Sequence, residues 1–374
     1  MSLRESAASM PFPAEWQARQ VIIGDETEVV TGPIREVSNH RVLLEQFGYN
    51  PDEFEILGTI NKWRKQQPDG EWLTSYFFKV RPRELSLDLP ALYAAARRKP
   101  RTPVKGTADS RITVVALADV QAGKTGSRGG TPELLDRLQE KRTKLEAHLR
   151  KVKPASTVLA EVGDLFENFE SGGNPMFTND LSLAQQMDLA GTIVYEFVET
   201  MHRHGHVDVV AVPSNHTAWR MGKTELGRPA DDLGLFVHKQ VAKVTTAARM
   251  DVEWITPADY DESAVIDILG TRLGVTHGHR SARARMIDWW ANQAHGGQPI
   301  GSADVLLTGH YHSLIVMPSG RNPYTGKSKY WLQCPTVDNG SDWYRATSGE
   351  DSDPGILVFD ITENGFDLQS LTVL

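Results

Sequence analysis

Two periods divide the chain. From residue 111 onward, short continuous apolar runs alternate with stretches where apolar residues recur every three or four positions, the pattern of buried strands separated by amphipathic helices. Residues 112–118 form one such run, closed by Asp119. Residues 132–152 then place Leu134, Leu135, Leu138, Leu145, Leu149 and Val152 on one helical stripe, with Pro132 suited to a first turn. A short strand over 158–160 ends at Gly163-Asp164, and a long helix over 181–204 leads to a strand over 207–212 that ends at Asn215-His216. A helix over 232–246 follows. Residues 265–269 and 272–275 read as strands, the second ending at His277-Gly278-His279. A helix around 283–292 precedes the apolar run 303–307, which stops at Thr308-Gly309-His310-Tyr311-His312. Beyond His312 the period is mostly two, with strands at 314–317, 330–333 and 356–361 and a pair across Asn364-Gly365.

Upstream the signal is weaker. Residues 1–36 carry three prolines and read as an irregular N-terminal arm, apart from a β-like piece at Val21-Ile22-Ile23. Ser38 is a candidate cap for a helix presenting Val42, Leu43, Leu44 and Phe47, closed by Gly48. Strands at 54–57 and 71–78 join through the turn-rich Gln67-Pro68-Asp69-Gly70. Residues 37–83 therefore read as a small αββ module, too small to be comfortable alone. Residues 84–110 form a basic linker containing Pro90, Pro100 and Pro103, with Arg97, Arg98, Lys99, Arg101 and Lys105 clustered in it. A solvated linker is the preferred reading of that cluster, and a track for a phosphate backbone the alternative. The repetitive α/β region is 111–374.

Composition narrows the classes. At 374 residues and 40% hydrophobic content the chain can bury a large core. No apolar run approaches the roughly 20 residues of a membrane helix, and no basic-then-apolar leader opens the chain. A cytoplasmic location is expected. Cys334 is the only cysteine, which leaves any metal to His, Asp and Asn rather than to thiolates. A net charge of -8 argues against a broad nucleic-acid-binding surface, so a nucleic-acid substrate would need local basic patches or metal.

The polar residues that interrupt the pattern sit where strands stop. Asp119, Asp164, Asn215, His277, His310 and His312 all lie at or just past the C-terminal end of an apolar run, and in an open α/β sheet those ends share one crevice. Two carboxylates, an amide and three imidazoles suit a pair of divalent ions such as Mn, Fe or Zn. Asp119 and Asp164 would leave such a pair with net positive charge, able to attract a phosphate oxygen and to lower the pKa of a bridging water. That chemistry is phosphoester hydrolysis.

Asp119-Val120-Gln121, Gly163-Asp164-Leu165-Phe166-Glu167, Ser214-Asn215-His216, His277-Gly278-His279 and Gly309-His310-Tyr311-His312 resemble, in order, the five motifs of the calcineurin-like metallophosphoesterases. The family pattern is Asp-X-His, Gly-Asp-X-X-Asp, Gly-Asn-His, His and Gly-His-X-His. The resemblance covers residue 111 to the end and implies an α/β fold of the αββα sandwich type with a dinuclear site, beside the small N-terminal α+β module. It implies that Asp164 bridges the metals, that Asp119 and His312 with Gln121 hold one, and that Asn215, His277 and His310 hold the other. A bridging hydroxide would attack, with His216 as general acid. Gln121 departs from the family's histidine and favours harder ions, Mn or Mg, over Zn. Ser214 replaces glycine, and Glu167 replaces aspartate with a supporting role expected.

Other motifs carry competing readings. Residues 118–125, Ala-Asp-Val-Gln-Ala-Gly-Lys-Thr, satisfy a relaxed nucleotide-binding loop, but the glycines after Thr125 delay the helix that such a loop needs at its Lys-Thr. Lys124 and Arg128 remain candidates for touching substrate phosphate. His202, His204 and His206 read as a surface helix end. His279 either joins the site or flanks it. Arg220 and Lys223 are open between substrate contact and solvated loop, and Trp343, Tyr344 and Arg345 between base stacking and packing. The sequence thus predicts a metal-dependent phosphodiesterase, with DNA or RNA as the expected substrate and two divalent ions, Mn foremost, as cofactors. Gly-Asp-Leu-Phe resembles the nuclease branch of the family, and the arrangement resembles phage-encoded relatives. The alternatives are hydrolysis of a small nucleotide or phosphoprotein, and a nucleic-acid binding module with a degenerate metal site.

Overall fold

The computed structural model describes residues 17–23, 26–37, 39–51, 53–67, 69–82, 111–169, 178–221, 224–340, 342, 345–346, 349 and 352–374. The basic cluster at 97–105, Lys223, Trp343 and Tyr344 lie outside them. The chain divides into two compact units, Met1–Leu85 and Ser86–Leu374.

In the first unit, β1 (Arg19–Ile23), β2 (Glu26–Val30), β3 (Phe54–Gln66) and β4 (Trp72–Pro82) form an antiparallel sheet in the order β1-β2-β4-β3. Helix α1 (His40–Gln46) adds Leu43 and Leu44 to a core of Val29, Tyr76, Phe78 and Val80. The module has four strands where the sequence suggests two. The irregular arm expected over 1–36 instead contains the β1–β2 hairpin, concealed because every residue of β1 is exposed and nothing forces an apolar alternation. Asn39 caps α1, its side chain accepting from Val42 N at 2.9 Å; the predicted cap, Ser38, lies outside the described residues.

The second unit is built on two sheets. The first has the order β10-β7-β6-β5-β16-β17 and comprises β5 (Ile112–Leu117), β6 (Ser156–Glu161), β7 (Val207–Ala211), β10 (Val252–Ile255), β16 (Leu357–Thr362) and β17 (Gly365–Val373). Strands β5, β6, β7 and β10 run parallel, while β16 and β17 add antiparallel. The second has the order β11-β12-β13-β15-β14, from β11 (Ser263–Ile268), β12 (Thr271–Thr276), β13 (Val305–Thr308), β14 (Ile315–Arg321) and β15 (Ser328–Gln333). Its central strands β12, β13 and β15 are parallel. A two-stranded ribbon, β8 (Arg220–Met221) with β9 (Thr224–Glu225), projects from the loop after β7.

Side-chain alternation decides the layering. Val114, Ala116, Val158, Ala160 and Val210 of the first sheet pack against Leu273, Val275, Val305, Leu307 and Leu332 of the second, in one cluster between the sheets. The opposite face of the first sheet presents Val115, Leu117, Leu159, Val207 and Val209 to three helices. These are α2 (Thr131–Val152), α3 (Leu183–His202) and α4 (Leu233–Ala247). On the outer face of the second sheet, Leu306 and Trp331 meet Met286 and Trp290 of α5 (Met286–His295) and Ile300 from the turn after it. The unit is an αββα sandwich. Helix α3 starts at a capping box, Ser182 with Gln185, and α4 at Asp232, whose carboxylate accepts from Leu235 N at 2.9 Å. Among the described residues no helix is long and apolar enough to cross a membrane.

Candidate metal centre

The parallel registers bring strand ends from both sheets to one edge of the sandwich. Leu117 pairs with Glu161 and Glu161 with Ala211, so the loops carrying Asp119, Asp164 and Asn215 leave the first sheet side by side. Val275 pairs with Leu307 across β12 and β13, which places His277 and His310 at the corresponding end of the second sheet. Backbone geometry then sharpens the turns. Nine non-glycine described residues have positive φ, and five of them are Asp119 (51°), Gln121 (46°), Asp164 (55°), His310 (69°) and His312 (55°). Left-handed conformation costs a non-glycine residue of order 1–3 kcal/mol, and such strain concentrates at functional sites. Close approach is bought with glycine: a Cβ on Gly309 would lie 2.6 Å from Asp119 Oδ2, and one on Gly163 2.8 Å from His277 Nδ1.

Asp164, His277 and His310 bring their donor atoms within 4.8 Å of one another. His277 Nε2 stands 3.0 Å from Asp164 Oδ2 and 2.9 Å from Asn215 Oδ1. His277 Nδ1 lies 2.8 Å from the Val162 carbonyl, to which it donates, and this fixes the tautomer that leaves Nε2 as a ligand atom. Asp164 Oδ2 is buried with only the imidazole nitrogens of His277 and His216 near it, at 3.0 and 3.7 Å, and without a well-aligned hydrogen bond, a setting that a cation between these donors would complete. Asp164 and Asp119 are almost wholly buried, so these donors fit a divalent ion set into the end of the sandwich.

Beside this group, Asp119 takes the His310 amide at 3.0 Å and has His312 Nε2 at 3.3 Å. The other His312 nitrogen faces Asp338 Oδ2 at 3.4 Å. Gln121 is held by two neighbours. Its Oε1 accepts from Lys124 Nζ at 2.6 Å, and its Nε2 faces His216 Nε2 at 3.3 Å. Lys124 also donates to Asp338 Oδ2 at 2.5 Å and is buried, forming part of the wall of this cluster.

His216 borders both halves. Its amide donates to Asp164 Oδ1 at 2.9 Å, its Nδ1 is held by Glu167 (3.0 Å to the carbonyl, 3.2 Å to Oε2), and its Nε2 points inward, 3.7 Å from Asp164 Oδ2. Glu167 is fully buried behind it.

Charge partners separate the imidazoles. Burial opposes protonation of His277 and His312, but Asp164 raises the first to about 9, and Asp119 and Asp338 raise the second to about 10. Burial and the nearby His277 push His310 down to about 4 and His279 to about 2. Burial would raise the Asp164 carboxyl, yet the positive charge of His216 and His277 holds it well below the ordinary range. His216 is raised, with Asp164 and Glu167 outweighing its burial.

The remaining candidates fall outside the ligand group. His279 stacks on it, its ring 5.4 Å from His277 and 6.2 Å from His310, with Nδ1 buried and unpartnered. Arg220 pairs with Glu225 across the β8–β9 ribbon at 3.0 Å. Arg128 is exposed on the loop that carries Ser127, and Arg345 pairs there with Asp342. None of the helix-end histidines reaches the site. His202 is buried, not on the surface, and accepts from Asp251 N at 3.1 Å; His204 faces Glu146; His206 lies between Asp208 and Asp251 at 2.9 Å each. With Glu253, His206 and Asp208 form a second group of metal-ligand spacing among the described residues, but both nitrogens of His206 are already engaged by carboxylates.

Two contributors have no sequence signal of their own kind. Asp338 follows β15 without periodicity, and only the turn-like Asp338-Asn339-Gly340 marks it. Behind Asp164, its amide donates to Ser214 Oγ at 2.8 Å, Ser214 meets Thr217 at 2.7 Å, and Thr217 donates to Asp232 Oδ2 at 2.6 Å. Burial raises the Asp232 carboxyl to about 6 against the hydrogen bonds it accepts. Ser214, where the motif pattern has glycine, is thus the link that ties the Asp164 loop to the start of α4.

Sandwich and site together define the class: a four-layer αββα protein with histidines and carboxylates at metal-ligand spacing at its strand ends. No family model and no curated protein matches the chain. Solved structures that align with it include proteins described as a phosphoesterase, a metallophosphoesterase and a calcineurin-like phosphoesterase. A predicted phosphoesterase from Streptococcus pneumoniae TIGR4 is 13% identical, covering 71% of this chain and 99% of its own, with a TM-score of 0.26. The calcineurin-like phosphoesterase YfkN from Bacillus subtilis is 11% identical over 71% of this chain and 90% of its own, TM-score 0.30. PhoD is 9% identical over 95% and 86%, TM-score 0.31. None of them lends a residue role to this chain, whose chemistry follows from its own donors.

Proposed function

We propose that the chain is a metal-dependent phosphoesterase acting on phosphodiesters, with nucleic acid as the favoured substrate and Mn as the favoured ion. The observation that carries this reading is the meeting of Asp164, His277 and His310 within ligand distance at the strand ends, with His216 beside them. Asp164, Asn215, His277 and His310 would hold a divalent ion. Such an ion supplies Lewis-acid polarisation of a phosphoryl oxygen and a more acidic water. The chain's own residues supply the rest. Glu167 orients His216 through Nδ1, so that Nε2 faces the space over Asp164 from which a leaving oxygen can be protonated. The His310 amide fixes the Asp119 carboxylate, and the Ser214–Thr217–Asp232 chain fixes the Asp164 loop. On its alternative reading as a phosphate track, the basic cluster Arg97, Arg98, Lys99, Arg101 and Lys105 would suit a polyanionic substrate, and the lone cysteine suits a cytoplasmic location.

The test is incubation of Mn-loaded protein with labelled single- and double-stranded DNA, RNA, cyclic nucleotides and a bis-aryl phosphate, beside Asp164→Asn. Cleavage of a nucleic acid that falls more than about 100-fold in the variant is expected. Turnover of the aryl ester or a cyclic nucleotide alone would move the reading to small diesters. Full activity in Asp164→Asn would remove the assigned centre altogether.

A further inference from the structure

We infer that the centre takes a single divalent ion, held by Asp164, Asn215, His277 and His310, and that the Lys124 ammonium supplies the second positive charge beside Asp119 and His312. This rests on the metal-centre reading above and concerns how many ions that centre takes.

The two halves are unequal in donors. On the Asp164 side, a carboxylate, an amide oxygen and two imidazoles face one point. The other side offers Asp119 and His312, 3.3 Å apart, and needs Gln121 as its third exclusive donor. Gln121 meets that need poorly, because its oxygen already faces a cation. A carboxamide ligates through oxygen, and Gln121 Oε1 is 2.6 Å from Lys124 Nζ. Turning the amide over would aim its two N–H donors at an ammonium that has no lone pair to accept them, so Lys124 itself dictates the orientation. The nitrogen, held toward His216, is a donor and cannot bind a cation.

Lys124 is built in. Gly123, with φ +91°, turns the chain so that Lys124 N bonds the Gln121 carbonyl at 3.0 Å, and the side chain runs inward to Asp338 at 2.5 Å. Asp338 Oδ1 is in turn fixed by the Gly340 amide at 2.8 Å, and its Oδ2 also faces His312. The ammonium therefore shares Asp338 with His312, the imidazole a second ion would need. A divalent ion at Asp119 and His312 would have two exclusive protein ligands and a fixed cation next to it, where like charges repel strongly in a buried setting. Lysine in that position pairs with Asp338 directly and adds positive charge near Asp119 without requiring an ion from solution.

The experiment uses the full chain stripped with chelator, titrated with Mn(II) alone, passed through gel filtration, and read by elemental analysis and electron paramagnetic resonance. One Mn per chain with the hyperfine pattern of an isolated ion is expected. His312→Ala should keep that ion, and His277→Ala should weaken it by more than about 100-fold. Lys124→Met combined with Gln121→His should take a second ion and show exchange coupling. Two ions in the wild-type chain, or loss of the ion in His312→Ala but not in His277→Ala, would overturn the inference while leaving the hydrolase reading intact. One ion without hydrolysis of any diester would do the reverse. A wild-type chain that binds none would overturn both.

Discussion

Gly309→Ala isolates how tightly the centre is packed. Gly309 does not have positive φ, so alanine meets no backbone penalty there, and the effect is purely that of the added methyl. That carbon would stand 2.6 Å from Asp119 Oδ2 and 3.4 Å from Ala118 Cβ. Relief to an ordinary 3.4 Å contact moves the carboxylate by about 0.8 Å. Asp119 is held by the His310 amide on one side and, through its carbonyl, by Thr336 Oγ1 at 2.6 Å, so the shift must break the first of these or bend the loop. A displacement near 1 Å in a reacting constellation costs on the order of 100-fold in rate, equivalent to about 2.7 kcal/mol of barrier. The assay is turnover of a bis-aryl phosphate with saturating Mn, beside a thermal melt. Activity down by about 100-fold with the melting point little changed is expected. A variant that stays folded and works within threefold of wild type would refute the packing argument.

Four further outcomes follow from other parts of the molecule. Leu159→Ala, in the core between the first sheet and its helices, should cost about 2–5 kcal/mol by urea unfolding. Asp232→Ala removes the cap of α4 and the anchor of Thr217 and Ser214 N; about 1–2 kcal/mol of stability should go, with activity falling further than the stability loss alone accounts for. Burial would lower His206, but Asp251 and Asp208 raise it above its unfolded value. Its contribution is therefore complete below about pH 6.5 and is lost as pH rises through the folded value, so the urea midpoint should fall across that range in wild type and less in His206→Asn. Chelator treatment should abolish turnover while the far-ultraviolet circular dichroism keeps its folded shape, and Mn should restore the rate.

The layered fold was legible because its central strands are buried on both faces, which leaves runs such as Val114-Val115-Ala116-Leu117 with no polar interruption. Asp119, Asp164, Asn215, His277 and His310 could be picked out because they break those runs at the strand ends. Elements that do not bury a face were hidden. Strand β10, Val252–Ile255, has four partly exposed residues, and the second half of β3 is charged and largely exposed. The partner of Lys124 was hidden for a different reason. A lysine after glycine near a strand end reads as a phosphate contact, and only the approach of Asp338, 214 positions away, turns it into part of the site. Asp338 itself has no local pattern, since its position depends on β15 lying beside β13.

The donors on the Asp164 side come from both leaves of the sandwich: Asp164 and Asn215 follow strands of one sheet, His277 and His310 strands of the other. An ion gripped by all of them is a rivet across the seam. Prising the leaves apart would then mean ejecting the ion, and at 100 times its dissociation constant such a rivet adds about 2.7 kcal/mol against unfolding. Resistance to heat should climb with free metal as catalysis does, so that an idle chain short of metal is also a softer one.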